Sequence, residues 1–192
     1  MSGSSLLSLW RLSAGMLYPK TEAKLTLRPD LDYTKITALG KPSSVRLGAF
    51  PGFSLPVYAA DEELFMSLKV PERWNGITDM KFKVCVYLAG AEDIGDVFKM
   101  QVSYASTPCG AGIVPSAVTD VEVQQAIITG RVSQYDTYEL EFAIPAAGLN
   151  VQDKLSIRIR NIVATGTAIT GEIVVFDTIL ELKRDKLGGI WS

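Results

Sequence analysis

The stretch that decides the fold is Asp79-Met80-Lys81-Phe82-Lys83-Val84-Cys85-Val86-Tyr87-Leu88-Ala89. Met80, Phe82, Val84, Val86 and Leu88 fall on one side of an extended chain, and Lys81, Lys83, Cys85 and Tyr87 fall on the other. Successive side chains of a strand point to opposite faces, so period-two alternation marks a strand buried on one side only. A helix, with its longer period, would scatter these apolar residues around its circumference.

The same alternation recurs outward in both directions. In Glu63–Val70, the residues Leu64, Met66, Leu68 and Val70 oppose Phe65, Ser67 and Lys69. In Val97–Ala105, the residues Phe98, Met100, Val102 and Tyr104 oppose Lys99, Gln101 and Ser103. In Thr137–Ile144, the residues Tyr138, Leu140, Phe142 and Ile144 oppose Glu139, Glu141 and Ala143. Leu155, Ile157 and Ile159 oppose Ser156, Arg158 and Arg160. In the last stretch Val174, Phe176, Thr178, Leu180 and Leu182 read as one face, and Val175, Asp177, Ile179 and Glu181 as the other. Weaker strands are read near Tyr33–Ala38, Ser43–Ala49 and Val121–Thr129.

Turn-forming segments separate these runs: Pro71–Gly76, Gly90–Gly95, Ser106–Gly112, Pro145–Asp153 and Gly166–Gly171. Strand, turn, strand at this spacing gives antiparallel pairing, and one buried face per strand gives two packed sheets. The loops are uneven in length, which favours an open sandwich over a closed up-and-down barrel. The expected fold is therefore all-β, an antiparallel two-sheet β-sandwich of the jelly-roll type with an N-terminal arm. Residues 1–41 read as that arm with peripheral strands, 42–184 as the sandwich and 185–192 as a C-terminal tail.

Composition excludes several classes of function. A chain of 192 residues, 47% hydrophobic and 21% charged, suits one globular domain with a full core. Nineteen basic against 21 acidic residues leave a formal net charge of −2, so no basic stripe grips a nucleic acid. Histidine is absent, which removes Ser-His-Asp and Cys-His nucleophilic sites and HExxH zinc sites. No apolar run approaches the roughly 20 residues that cross a bilayer as a helix. At the N-terminus Ser8 breaks the apolar run and Arg11 ends it, unlike an export signal. Neither a membrane nor a nucleic acid is expected as a partner.

The candidate chemistry is thin. Asp61-Glu62-Glu63 and Glu92-Asp93 with Asp96 cluster carboxylates next to turns, without an EF-hand spacing or a recognisable catalytic pair. Gly110-Ala111-Gly112 lacks the Gly-Lys-Ser/Thr ending of a phosphate loop and reads as a turn. Cys85 and Cys109 are too few for a disulfide framework; a single bridge is one reading and two free thiols the plainer one. Trp74, after Pro71-Glu72-Arg73, reads as a core plug at the sandwich mouth. Arg158 and Arg160 read as a salt-bridged sheet face, paired with Glu139 and Glu141 if those strands are neighbours. No catalytic, cofactor-binding or metal-ligating residue is assigned, and no enzyme activity or cofactor is expected.

Two stretches carry a resemblance. The first is Leu68-Lys69-Val70-Pro71-Glu72-Arg73-Trp74-Asn75-Gly76, followed by the long strand from Asp79. The second is Leu140-Glu141-Phe142-Ala143-Ile144-Pro145-Ala146-Ala147-Gly148-Leu149, followed by Asp153 to Asn161 and a closing strand, Ile173 to Lys183. From Glu63 to about Leu182 the chain resembles the jelly-roll modules of tailed-phage and related viral structural proteins. It departs from them at Gln152, where similar proteins carry Gly before the Asp. The resemblance implies a non-enzymatic virion component, a capsid, decoration, collar or fibre subunit made in the host cytoplasm. It implies a homo-oligomer, commonly a trimer, in contact with other virion proteins.

The chain ends fit that implication. Leu6, Leu7, Leu9 and Trp10 at one end, and Ile190 and Trp191 at the other, have no local core and are the expected interface residues. A mean hydropathy of +0.19 leaves apolar surface for subunit contacts. The alternative is a glycan- or receptor-binding β-sandwich module that uses loops Gly90–Gly95, Ser106–Pro115 and Ala164–Gly171. Those loops contain no aromatic residue, which counts against it.

Overall fold

The structure, a computed structural model, describes residues 10–13, 16–19, 23–27, 42–56, 63–112 and 118–184. Every regular element among them is a β-strand. They are β1 (Trp10–Ser13), β2 (Met16–Pro19), β3 (Ala23–Leu27), β4 (Ser43–Leu47), β5 (Phe50–Leu55), β6 (Leu64–Lys69), β7 (Met80–Leu88), β8 (Val97–Thr107), β9 (Thr119–Ala126), β10 (Thr137–Ile144), β11 (Lys154–Ile162) and β12 (Ile173–Arg184).

The strands from β5 to β12 fall into two antiparallel sheets, ordered β5-β12-β7-β10 and β6-β11-β8-β9. Two interleaved Greek keys of this kind make a jelly roll. β4 extends the first sheet beyond β5, and β3 pairs with the far half of β12, so that sheet has six strands and the other four. β1 and β2 form a separate two-stranded hairpin.

The alternation read from sequence is the packing. Along β10, Tyr138, Leu140, Phe142 and Ile144 are buried while the residues between them are exposed. They share one core with Phe82, Val84 and Val86 of β7, Met100 and Val102 of β8, and Leu155, Ile157 and Ile159 of β11. Trp74 joins that core with 0% exposure, and its ring N–H donates to the Thr78 carbonyl at 3.0 Å. Asn75 Oδ1 accepts from the amides of Ile77 and Thr78, which closes the turn behind the ring. The plug expected at Trp74 is therefore what the fold contains.

The structure departs from the sequence expectations at three places. β5 runs through Pro51-Gly52, in a stretch with no expected strand. β12 is not in one phase: Val175 pairs with Val86 and Asp177 with Cys85, leaving Phe176 as the extra residue of a β-bulge. Ile173 and Val175 therefore face the core before the bulge and Thr178, Leu180 and Leu182 after it, while Phe176 points outward. Finally, Glu139 and Glu141 do not meet Arg158 and Arg160. β10 lies beside β7, so Glu139 pairs with Lys83 at 2.7 Å and Glu141 with Lys81 at 2.6 Å.

Gln152 occupies a left-handed conformation, φ 73°, where glycine carries no steric penalty, so its departure from the resembled pattern is a local strain. Cys85 lies on the outer face of the six-stranded sheet and Cys109 in the loop after β8 of the other sheet; no disulfide joins them. The expected interface residues Leu6, Leu7, Leu9, Ile190 and Trp191, and the weak strand Tyr33–Ala38, lie outside the described residues. Trp10 begins β1, opposite Pro19.

Candidate functional site

The outer face of the six-stranded sheet carries a row of four aromatic residues. The Phe50 ring lies 6.3 Å from Phe176, Phe176 lies 5.9 Å from Tyr87, and Tyr87 lies 6.1 Å from Tyr135. The row crosses from β5 through β12 and β7 to the turn before β10. Its ends are open, with Phe50 61% and Tyr135 48% exposed. Its middle is floor, since Phe176 is half-buried and Tyr87 only 3% exposed.

Three of the four have a local cause. Tyr87 faces outward because Val86 and Leu88, its neighbours in β7, face the core. Phe176 faces outward because the bulge shifts it out of phase. The bulge fits beneath β5 because Gly52 has no side chain: a Cβ there would lie 2.6 Å from Val174 Cγ1 and 2.9 Å from the Val175 carbonyl oxygen. Tyr135 is held at φ 74°, a costly conformation for an aromatic residue. Its amide donates to the Leu88 carbonyl at 2.9 Å, and Asp136 Oδ2 accepts from the Ser133 amide at 2.7 Å.

Chemically the row is a stacking surface with one polar group in its floor. The Tyr87 hydroxyl is buried without a hydrogen-bond partner. Burial, then the neighbouring Tyr135 phenol, pushes its pKa above the usual tyrosine value. It therefore stays protonated as a donor with no acceptor, a state that costs about 1–3 kcal/mol unless a partner arrives. The rest of this face is ionic. Lys83 bridges Glu139 and Glu181, and Lys81 bridges Glu141. The hydrogen bond to Glu139 holds the Lys83 pKa above its ordinary value.

The four-stranded sheet presents a polar outer face. Arg158 and Arg160 both reach Glu63 Oε1 at 3.4 Å. Arg160 Nε donates to Gln101 Oε1, Gln101 Nε2 donates to Glu122 at 3.0 Å, and Glu122 takes Lys99 at 2.5 Å. The Lys99 hydrogen bond holds the Glu122 carboxyl below its usual range. The salt-bridged face expected at Arg158 and Arg160 thus exists, with Glu63 as the acid.

The other sequence candidates are structural. Glu92 is 8% exposed; its two carboxylate oxygens accept from the Thr170 amide and hydroxyl and from the Gly171 amide, which ties two loops together. Asp96 Oδ2 accepts from the Asp93 amide. Asp61 and Glu62 lie outside the described residues. Among the described residues no group of three or more metal-ligating side chains converges. The aromatic row was hidden from sequence because its members come from four segments with no common spacing.

No family model matches the chain, and no curated protein matches it. Solved structures do. Dimeric latent PorU from Porphyromonas gingivalis matches with TM-score 0.41 at 10% identity, over 85% of this chain and 13% of that one. The xylan-binding module CBM15 matches with TM-score 0.37 at 10% identity, over 85% of this chain and 100% of that one. The enzymatically active domain of bacteriophage CBA120 tailspike protein 4 matches with TM-score 0.34 at 11% identity, over 83% of this chain and 19% of that one.

Proposed function

We propose that the chain is a non-catalytic recognition module that holds a glycan, free or on a receptor, against the outer face of the six-stranded sheet. The aromatic row carries this reading. Sugar rings offer C–H faces to aromatic rings and hydroxyls to nearby polar groups, and the row supplies open rings at both ends with an unpaired hydroxyl in its floor. Glu92, whose two carboxylate oxygens are taken by Thr170 and Gly171, ties two loops together and is not offered to a ligand.

A glycan array probed with the purified protein should give specific hits. Phe50→Ala and Tyr135→Ala should each weaken the strongest hit about tenfold, the range of one stacked aromatic contact. A blank array, or full binding by the double variant, would remove the reading.

A second reading, the virion subunit, is supported by a different surface. Ile94, Ile128 and Val163 are 65%, 46% and 62% exposed at the end of the sandwich where β8 begins and β9 and β11 finish. Backbone bonds from Gly95 to Ile127 and from Ile127 to Asp96 join the first two of those loops. Exposed aliphatic clusters of this kind suit subunit contacts in a homo-oligomer, a trimer in this reading. Light scattering should then show a trimer that Ile94→Asp or Val163→Asp dissociates; a monomer at all concentrations would reject it.

A further inference from the structure

We infer that the outer face of the four-stranded sheet is a separate binding site for the carboxylate of an acidic saccharide. The register of β6, β11 and β8 lays three rows across this face. Lys69, Lys154 and Thr107 form one; Ser67, Ser156 and Ala105 the next; Phe65, Arg158 and Ser103 the third. All point outward, since Leu155, Ile157, Met66 and Tyr104 between them are core residues. The middle row is small, so the face dips there. A cavity of about 120 Å³ opens in the dip, walled by Phe65, Val118 and Arg158 over Ser103, Ala105 and Ser156. That is well below the roughly 300 Å³ of a pocket that encloses a whole ligand, so it seats one unit of a longer chain.

Charge identifies the ligand. Lys69 and Lys154 stand directly opposite one another across the strand pair, both exposed, and neither has an ion-pair partner among the described residues. Like charges in that position repel, and an anion between them converts the repulsion to attraction. Among the described residues Arg158 and Arg160 share one carboxylate, Glu63, which leaves that pair with surplus positive charge. The Arg158 Nε is closed from water and lacks an acceptor, although its Nη2 donates to Ser103 Oγ at 3.0 Å. The opposing acids are Glu122, which is held by Lys99, and Asp120, which pairs with Ser103 at the far end of the third row. Serine hydroxyls in the floor and the Phe65 ring in the wall suit the hydroxyls and C–H face of a sugar rather than an acidic peptide.

This inference shares with the proposed function only the saccharide nature of the ligand, and it uses none of the aromatic-row residues. The test is calorimetry with galacturonate oligomers, their methyl esters and poly-glutamate. The galacturonate oligomer should bind, weaken as salt rises, and lose about tenfold in affinity in Lys69→Ala/Lys154→Ala, as expected when charge-assisted contacts are removed. Arg158→Gln should weaken it comparably. Phe50→Ala/Tyr135→Ala should leave it unchanged. Absence of binding, equal binding of the methyl ester or of poly-glutamate, or an unaffected lysine variant would overturn the inference. Loss in Phe50→Ala/Tyr135→Ala would also overturn it, while leaving the aromatic-row reading standing.

Discussion

Trp74→Ala is expected to lower the unfolding free energy by about 3–5 kcal/mol, the range for removing a large aromatic side chain from a packed core. The ring is 0% exposed, and its N–H is bonded to the Thr78 carbonyl at 3.0 Å. Truncation therefore opens a void and leaves a carbonyl without its donor. A domain of this size holds about 5–15 kcal/mol in all, so the variant should stand near the edge of folding. Trp74→Phe should cost less, since it keeps most of the ring and loses mainly the hydrogen bond. Urea unfolding followed by far-ultraviolet circular dichroism measures both. A loss below about 1 kcal/mol for the alanine variant would show that the Pro71–Thr78 segment closes the sandwich mouth without the indole.

Gly52→Ala should act on stability and recognition together. The new methyl group would lie 2.6 Å from Val174 Cγ1 and 2.9 Å from the Val175 carbonyl oxygen. The valine branch can rotate away; the carbonyl belongs to the backbone of the bulge and cannot. Overpacking of this kind costs about 1–3 kcal/mol. Because the bulge turns Phe176 outward, its displacement should also weaken glycan binding through the aromatic row. Gly112→Ala is the matched control: nothing lies within 4 Å of its added Cβ, and stability and binding should be unchanged. Equal stability of Gly52→Ala and the parent would mean that β5 and β12 can separate there at no cost.

What sequence alone conveyed was whatever is local. β7 and β10 were legible because each is buried on one side along its whole length, so alternation maps directly onto burial. β5 was not, because Pro51 and Gly52 signal a break; here the proline sits near the sheet edge and the glycine is required by close approach of β12. The phase of β12 was misread from Phe176 backward, since an inserted residue reverses the alternation and only the partner strand reveals the insertion. The partners of Arg158 and Arg160 depended on strand order, which spacing does not encode. At the candidate site Tyr87 was legible as outward-facing. Its neighbours Phe50, Phe176 and Tyr135 come together only after both sheets have formed.

β12 comes late in the chain and sits centrally in the sheet. It is the last strand of the sandwich in chain order, yet it lies inside the six-stranded sheet, with β7 on one side and β5 and β3 on the other. During synthesis the two flanks must wait, their ladders half empty, until β12 leaves the ribosome and slides between them. Such late closure makes for slow maturation and a period of vulnerability to unwanted pairing. A cut just before Ile173 would not trim a border; it would split the wall down the middle.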